Sequence, residues 1–352
     1  TFIGDTPIVV TRDKESGLQA FVNRCAHRGA MVCRELSGNR PTHTCIYHQW
    51  SYDLKGNLIG VPFKKGIGGV GGYGPDFDLS QHTLKKLRVA AYRGLVFATF
   101  SEEVEPLEDY LSPVMCEWLD RLFDRPVQVL GYTRQWVNAN WKLYFENVKD
   151  PYHASLLHMF HATFGLYRSS QAGGVIMDEH SRHDVLHAEP RAQEDMSAYE
   201  SGLHSYQEGY KLADPSVLKG RPEFKGLFIQ TIFPCLIVQQ ISNTLAVRQV
   251  LPKAPDRFEL IFTYFGYEDD DEEMREIRLK QANLVGPAGL ISMEDGYAAE
   301  LVQQSVTGDR SAASFVEMGG TDIASEESLV TETAIRGFWG YYRDAMGFQS
   351  KA

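Results

Sequence analysis

The sequence runs to 352 residues, with 46 acidic against 35 basic side chains and a formal net charge of −11. That length allows two domains and a sizeable core. The charge argues against a nucleic-acid binder but leaves room for a small anion in a local basic pocket, and no apolar run approaches membrane-spanning length. The five cysteines, an odd number, make no disulfide framework, so a reducing cytoplasm is expected. No secretory signal opens the chain, and because it begins with Thr1 and not Met, further residues are expected ahead of it.

Residues 1–102 read as an all-β domain. Short strands are expected at 7–10 and 18–22, joined by a polar turn, then at 42–45, 49–52 and 94–100. Glycines crowd residues 66–74, which read as a flexible surface loop. Two short loops in this region carry Cys25-Ala26-His27 and Cys45-Ile46-Tyr47-His48, seventeen residues apart. Facing Cys-His loops can hold a Rieske [2Fe-2S] cluster, thiolates on one iron and imidazoles on the other. A structural zinc site is the rival, but zinc fingers group two Cys before two His, whereas here the order alternates. Cys33, between the loops, reads as a packed small residue.

Residues 103–352 form the second expected domain, entered through an acidic, helix-prone crossing at 101–125. Residues 140–158 begin as an amphipathic helix, with Leu143 and Asn147, then Tyr144 and Val148, on neighbouring rows. Pro151 must end or distort that helix, because it lacks an N–H and crowds the preceding turn. His153 and His158 follow the break. Five residues apart, they would lie about 140° apart on a straight helix, so meeting at one ion needs a distorted turn. A helix with two partly exposed histidines is the alternative. Asp150 can cap the turn or reach the second nitrogen of His153.

Residues 170–225 are polar and read as loops and short helices over a pocket. Runs at 227–233, 235–241, 244–251 and 258–264 read as an antiparallel meander. Arg248 shares a strand face with Ala246 and Val250. A guanidinium on an apolar face needs a partner, either a protein carboxylate or a substrate carboxylate gripped by two hydrogen bonds. Ile229, Phe233, Val238 and Ile291 are candidates to line an aromatic pocket, or to be ordinary sheet core. A C-terminal helix is expected at 330–346 with Arg336 beside its apolar stripe, where an arginine is often a snorkelling surface residue.

These motifs together resemble the large (α) subunit of Rieske non-haem iron aromatic-ring-hydroxylating oxygenases over essentially the whole chain. The resemblance implies an α+β protein: an N-terminal all-β Rieske domain and a C-terminal helix-grip domain, a large antiparallel sheet wrapped by helices. It implies Cys25, His27, Cys45 and His48 on the [2Fe-2S] cluster. His153, His158 and, by match of the segment 286–296, Asp295 would hold a mononuclear Fe(II), with Glu294 one position early. It implies an α3 assembly, or an α3β3 assembly with a small β subunit, in which Asp150 couples the cluster of one chain to the iron of the next. A separate reductase, with or without a ferredoxin, would supply electrons to O2 chemistry. Within the family the similarity is to oxygenases of aromatic carboxylates, terephthalate foremost, with salicylate and anthranilate as alternatives. Arg248 and Arg336 would then hold substrate carboxylates. A non-oxygenase protein with structural Cys/His metal sites is the different-class alternative.

Overall fold

The computed structural model describes residues 1–164, 166–190, 210, 212–219, 226–309 and 311–348. The chain divides into two compact units, Thr1–Tyr110 and Leu111–Ala352. The break and the expected boundary at 102/103 both fall within the acidic crossing at 101–125. No helix among the described residues is long and apolar enough to cross a membrane.

The first unit is built of two antiparallel sheets. One has the order β1 (Phe2–Ile3), β2 (Thr6–Asp13), β3 (Gly17–Val22), β7 (Lys86–Tyr92), β8 (Leu95–Thr99). The other joins β4 (His43–Thr44), β5 (Ser51–Tyr52) and β6 (Leu58–Gly60). Phe21, Trp50, Tyr52, Leu58 and Leu84 pack with Cys25 and Cys45 in one core, so both thiols lie in the interior although they sit in the loops that follow β3 and β4. The glycine loop closes tightly on itself: a Cβ at Gly66 would lie 2.3 Å from the Val70 carbonyl oxygen, and one at Gly72 2.4 Å from the Gly66 nitrogen.

The second unit is an α+β layer built on a seven-stranded antiparallel sheet. Its order is β10 (Gly173–Met177), β11 (Asp184–Ala188), β12 (Leu227–Ile232), β13 (Leu236–Ile241), β14 (Thr244–Ala254), β15 (Arg257–Tyr267), β9 (Val127–Val137). Among the described residues the helices are α1 (Leu107–Leu111), which spans the break in the chain, and then α2 (Pro113–Leu122), α3 (Trp141–Asn147), α4 (Met159–Phe164), α5 (Glu272–Val285), α6 (Leu290–Gly308) and α7 (Thr333–Ala345). The expected meander is present. Residues 173–177 and 184–188, expected as loops, are strands instead, because β11 pairs with β12, some forty residues later in the chain, along their full length. Residues 191–209, 211 and 220–225 of that segment lie outside the described residues.

Register divides the sheet into two faces. Asp184, Thr231, Ile237, Arg248, Phe262 and Thr133 form one cross-strand row. Leu186, Ile229, Gln239, Ala246, Tyr264 and Gly131 form a neighbouring row on the same face. Tyr144, Phe145 and Val148 of the α3 segment and Phe338 of α7 pack against this face. Val238 pairs with Gln230 and Val247, one residue out of phase, and so faces the other way. On that opposite face Gln230 donates from its Nε2 to the Met115 carbonyl of α2 at 2.9 Å.

Candidate active site

The two Cys-His loops repeat one backbone pattern. Cys25 N–H donates to the Ala30 carbonyl and Cys45 N–H to that of Trp50, at 2.8 and 2.9 Å. Gly29 and Gln49 return hydrogen bonds to the Cys25 and Cys45 carbonyls at 3.0 and 2.9 Å. Both sit at positive φ, 78° and 55°, which tightens each loop around its cysteine. The thiols are buried, while His27 and His48 are exposed with ring centroids 4.6 Å apart. His27 stacks on Trp50 at 4.9 Å. A tetrahedral ion would draw its donors within a few ångströms of one another. Among the described residues these four do not form such a group, whereas a two-iron cluster spreads its thiolates and imidazoles over separate irons. Tyr52 was not foreseen: its hydroxyl lies 3.3 Å from Cys25 Sγ and accepts from the Ala26 N–H at 3.0 Å.

In the second unit α3 starts where Asn140 caps it, its side-chain oxygen accepting from the Lys142 N–H at 3.1 Å. The helix stops at Asn147, ahead of Pro151, as the proline requires. A short 3-10 turn, His153–Ser155, then rewinds the chain, with the Leu156 and Leu157 N–H groups both donating to the His153 carbonyl. That turn brings the two imidazoles together. Nε2 of His153 and Nε2 of His158 lie 3.3 and 3.4 Å from Oδ1 of Asp295, and the three donor atoms all fall within 4.8 Å of one another. Oδ1 of Asp295 is buried and accepts no regular hydrogen bond, an orphan that a cation would satisfy. Two imidazoles and a carboxylate on one side are the donor set that suits non-haem iron.

Asp295 is placed by α6, which approaches β9 so closely that a Cβ at Gly296 would lie 2.5 Å from Gln135 Nε2. Burial pushes the His153 ring down, but the carboxylates of Asp150 and Asp295 outweigh it and hold it up to about 10. A metal ion and that proton compete for the same nitrogen. Around the triad, His153 Nδ1 donates to the Asp150 backbone carbonyl at 2.6 Å. The Asp150 carboxylate instead accepts from the Tyr152 and His153 N–H groups, at 3.1 and 3.2 Å, and lies 3.8 Å from the ring. Glu294, read from the sequence only as the acid one position before the ligand, is a further partner of the triad. It accepts from His158 Nδ1 at 3.0 Å and from the Met159 N–H at 3.2 Å.

A cavity of about 520 Å³, part of it open to solvent, holds His153, His158 and Asp295 together with Asp150, Asn147, His161 and Arg248. Its apolar walls include Leu186, Ile229, Ile241 and Ile291. His161, also unforeseen, is kept neutral by burial, which with the neighbouring His158 pushes it down to about 3. Of the residues expected around a substrate, Ile229, Ile291 and Arg248 line this cavity. Val238 does not, since it occupies the opposite sheet face. Phe233 is absent from the lining, because β12 ends at Ile232 and its ring packs edge-on against Tyr341 at 5.0 Å. Arg336 is also elsewhere: it donates to the Asp322 and Met318 carbonyls at 3.0 Å each and lies 3.7 Å from Glu326. Arg248 is buried, and among the described residues no carboxylate lies within ion-pair distance of it. Its Nη1 donates to the Tyr144 hydroxyl at 3.1 Å and its Nε to Gln239 Oε1.

Comparison with known proteins adds an independent line. A model described as "Ring hydroxylating alpha subunit (catalytic domain)" matches residues 114–347, and one described as "Rieske [2Fe-2S] domain" matches residues 1–81. The chain is 52% identical over 353 residues to the anthranilate 1,2-dioxygenase large subunit of Burkholderia cepacia, covering 99% of this chain and 84% of that one. It is 50% identical over 356 residues to the terephthalate 1,2-dioxygenase terminal oxygenase component subunit alpha 2 of Comamonas sp, covering 100% and 86%. The salicylate 5-hydroxylase large oxygenase component of Ralstonia sp is 42% identical, covering 99% and 84%. Among solved structures, naphthalene 1,2-dioxygenase from Rhodococcus sp. shares the fold with a TM-score of 0.80 at 23% identity, covering 99% of this chain and 86% of that one.

Proposed function

This chain belongs to the family of ring-hydroxylating alpha subunits, with a Rieske [2Fe-2S] domain ahead of a non-haem iron catalytic domain, and from that premise we propose that it hydroxylates an aromatic carboxylate held by Arg248. When bound, the cluster supplies single electrons and the iron the site at which dioxygen is activated. In this reading Cys25, His27, Cys45 and His48 hold the cluster, and His153, His158 and Asp295 hold the iron. The exposed cluster histidines offer the edge at which an electron enters. Asp150 couples the cluster of one chain to the iron of another in an α3 or α3β3 assembly, which a reductase serves.

The observation that carries the substrate reading is Arg248, a buried cation without a carboxylate partner among the described residues, in the same cavity as the triad. The guanidinium grips a carboxylate, the apolar wall of Ile229 and Ile291 packs on the ring, and together they turn one ring edge toward the triad. Tyr144 and Phe262 brace the guanidinium, the latter with its ring centroid 5.0 Å away. The anthranilate, terephthalate and salicylate oxygenases above are each named for a ring that bears a carboxylate. Terephthalate, the substrate expected from sequence, calls for a second cation across the ring. Arg336 is committed elsewhere, and Arg248 is the sole arginine or lysine among the described lining residues. A ring with one carboxylate, such as anthranilate, is therefore the first reading and terephthalate the second.

The test is a panel of anthranilate, salicylate, benzoate, terephthalate and naphthalene, turned over with a surrogate reductase and identified as products. Monocarboxylates should lead. Naphthalene converted as well as the acids would refute the reading, and terephthalate far ahead of the rest would return the second one. Protein purified anaerobically should be red-brown with about three irons and two acid-labile sulfides per chain. Colourless protein holding only zinc would favour structural metal sites.

A further inference from the structure

We infer that a neutral side chain at position 239 sets the cavity's preference for an anion: Gln239 occupies Nε of Arg248 without cancelling its charge. The inference rests on Arg248 as the carboxylate clamp and deepens it. A buried arginine is ordinarily matched by a carboxylate. Here the positions around it are filled by neutral groups: the Gln239 amide oxygen on Nε, the Tyr144 hydroxyl on Nη1 and the Phe262 ring face. Gln239 reaches Nε because it pairs with Ala246, which puts it diagonally across from Arg248 on the same face. It is fully buried, so no solvent competes for that bond. Burial also holds the Tyr144 phenol in its neutral form.

The other charged groups of the cavity do not fill the gap. Asp295 feels the charge of the guanidinium but makes no ion pair with it and turns its Oδ1 to the two imidazoles, and Oδ1 of Asp150 is occupied by backbone N–H groups. The guanidinium carries five N–H donors in a fixed fork. With Nε taken by Gln239 and one hydrogen of Nη1 by Tyr144, the remaining donors sit on the two terminal nitrogens. A carboxylate then approaches end-on, bridging Nη1 and Nη2. A glutamate at 239 would occupy the same volume and the same Nε, yet would cancel the charge inside the protein.

The experiment compares anthranilate with 2-aminobenzamide, two ligands of one shape that differ in charge. Both are titrated calorimetrically into oxidised holoenzyme. In Gln239→Glu the dissociation constant for anthranilate should rise about 100-fold or more, while that for the amide moves less than about threefold. Gln239→Met removes the acceptor but adds no charge, so the ratio of the two constants should stay within about threefold of the parent. That second variant keeps the inference open to refutation should the glutamate protein fail to fold. A collapsed ratio in Gln239→Met would overturn it. So would anthranilate affinity unchanged in Gln239→Glu while Arg248→Ala loses it. Anthranilate affinity unchanged in Arg248→Ala would instead refute the clamp itself.

Discussion

Glu294→Gln should loosen the mononuclear iron and leave the cluster untouched. Glu294 satisfies two donors at once, Nδ1–H of His158 at 3.0 Å and the Met159 N–H at 3.2 Å. A carboxylate can accept from both. A glutamine has one oxygen and one NH2. If its oxygen stays on the Met159 N–H, which cannot turn away, the NH2 meets Nδ1. The imidazole must then carry its proton on Nε2, the nitrogen that lies 3.4 Å from Asp295 and would bind metal. If its oxygen turns to Nδ1 instead, two N–H donors oppose each other. With iron on Nε2 the NH2 group then faces either His158 Nδ1–H or the Met159 N–H, and the hydrogen bond lost costs about 1–3 kcal/mol. That matches the roughly 10- to 100-fold loss of metal affinity expected when the partner of a ligating histidine is removed. The assay is anaerobic equilibrium dialysis of Fe(II) against protein stripped of mononuclear iron, with visible circular dichroism following the cluster. An iron dissociation constant within about twofold of the parent would refute the tautomer argument.

Asp150→Asn keeps the oxygen that accepts from Tyr152 and His153 N–H, so both metals should stay bound while turnover stops; parent-rate hydroxylation would remove the coupling role. Tyr52→Phe deletes the hydroxyl 3.3 Å from Cys25 Sγ. If that bond favours the reduced cluster by about 1 kcal/mol, redox titration should find the potential lower by roughly 40 mV. Lys149→Met strands Asp184 and Thr231, to which the lysine's buried ammonium is bonded. Urea denaturation of the catalytic unit should report a loss of about 3–5 kcal/mol, with much of it recovered when Asp184 is also made apolar.

Local chemistry made much of this protein readable. The Cys-His spacing, the break imposed by Pro151 and the alternating runs of β12 to β15 each depend on residues close together in the chain. They emerged with bounds near those expected. The convergence of His153, His158 and Asp295 matched an expectation that rested on resemblance, because nothing in a five-residue histidine spacing names a carboxylate 137 positions further on. Cross-strand register and helix–sheet packing decided the rest. Gln239 and Val238 are equally apt pocket residues until pairing with Ala246 and Val247 turns the first toward α3 and the second away. Glu294 reads as a neighbour of a ligand until α6 sets it against His158. Arg336 looks free on a helix stripe, yet the Asp322 and Met318 carbonyls hold its Nε and Nη1 and Glu326 lies 3.7 Å from its Nη2. The sequence determined which side chains could do chemistry. Which of them meet was decided by contacts between distant segments, because pairing partners and packed faces are chosen by the free energy of the whole sheet and its helices, not by any window of neighbours.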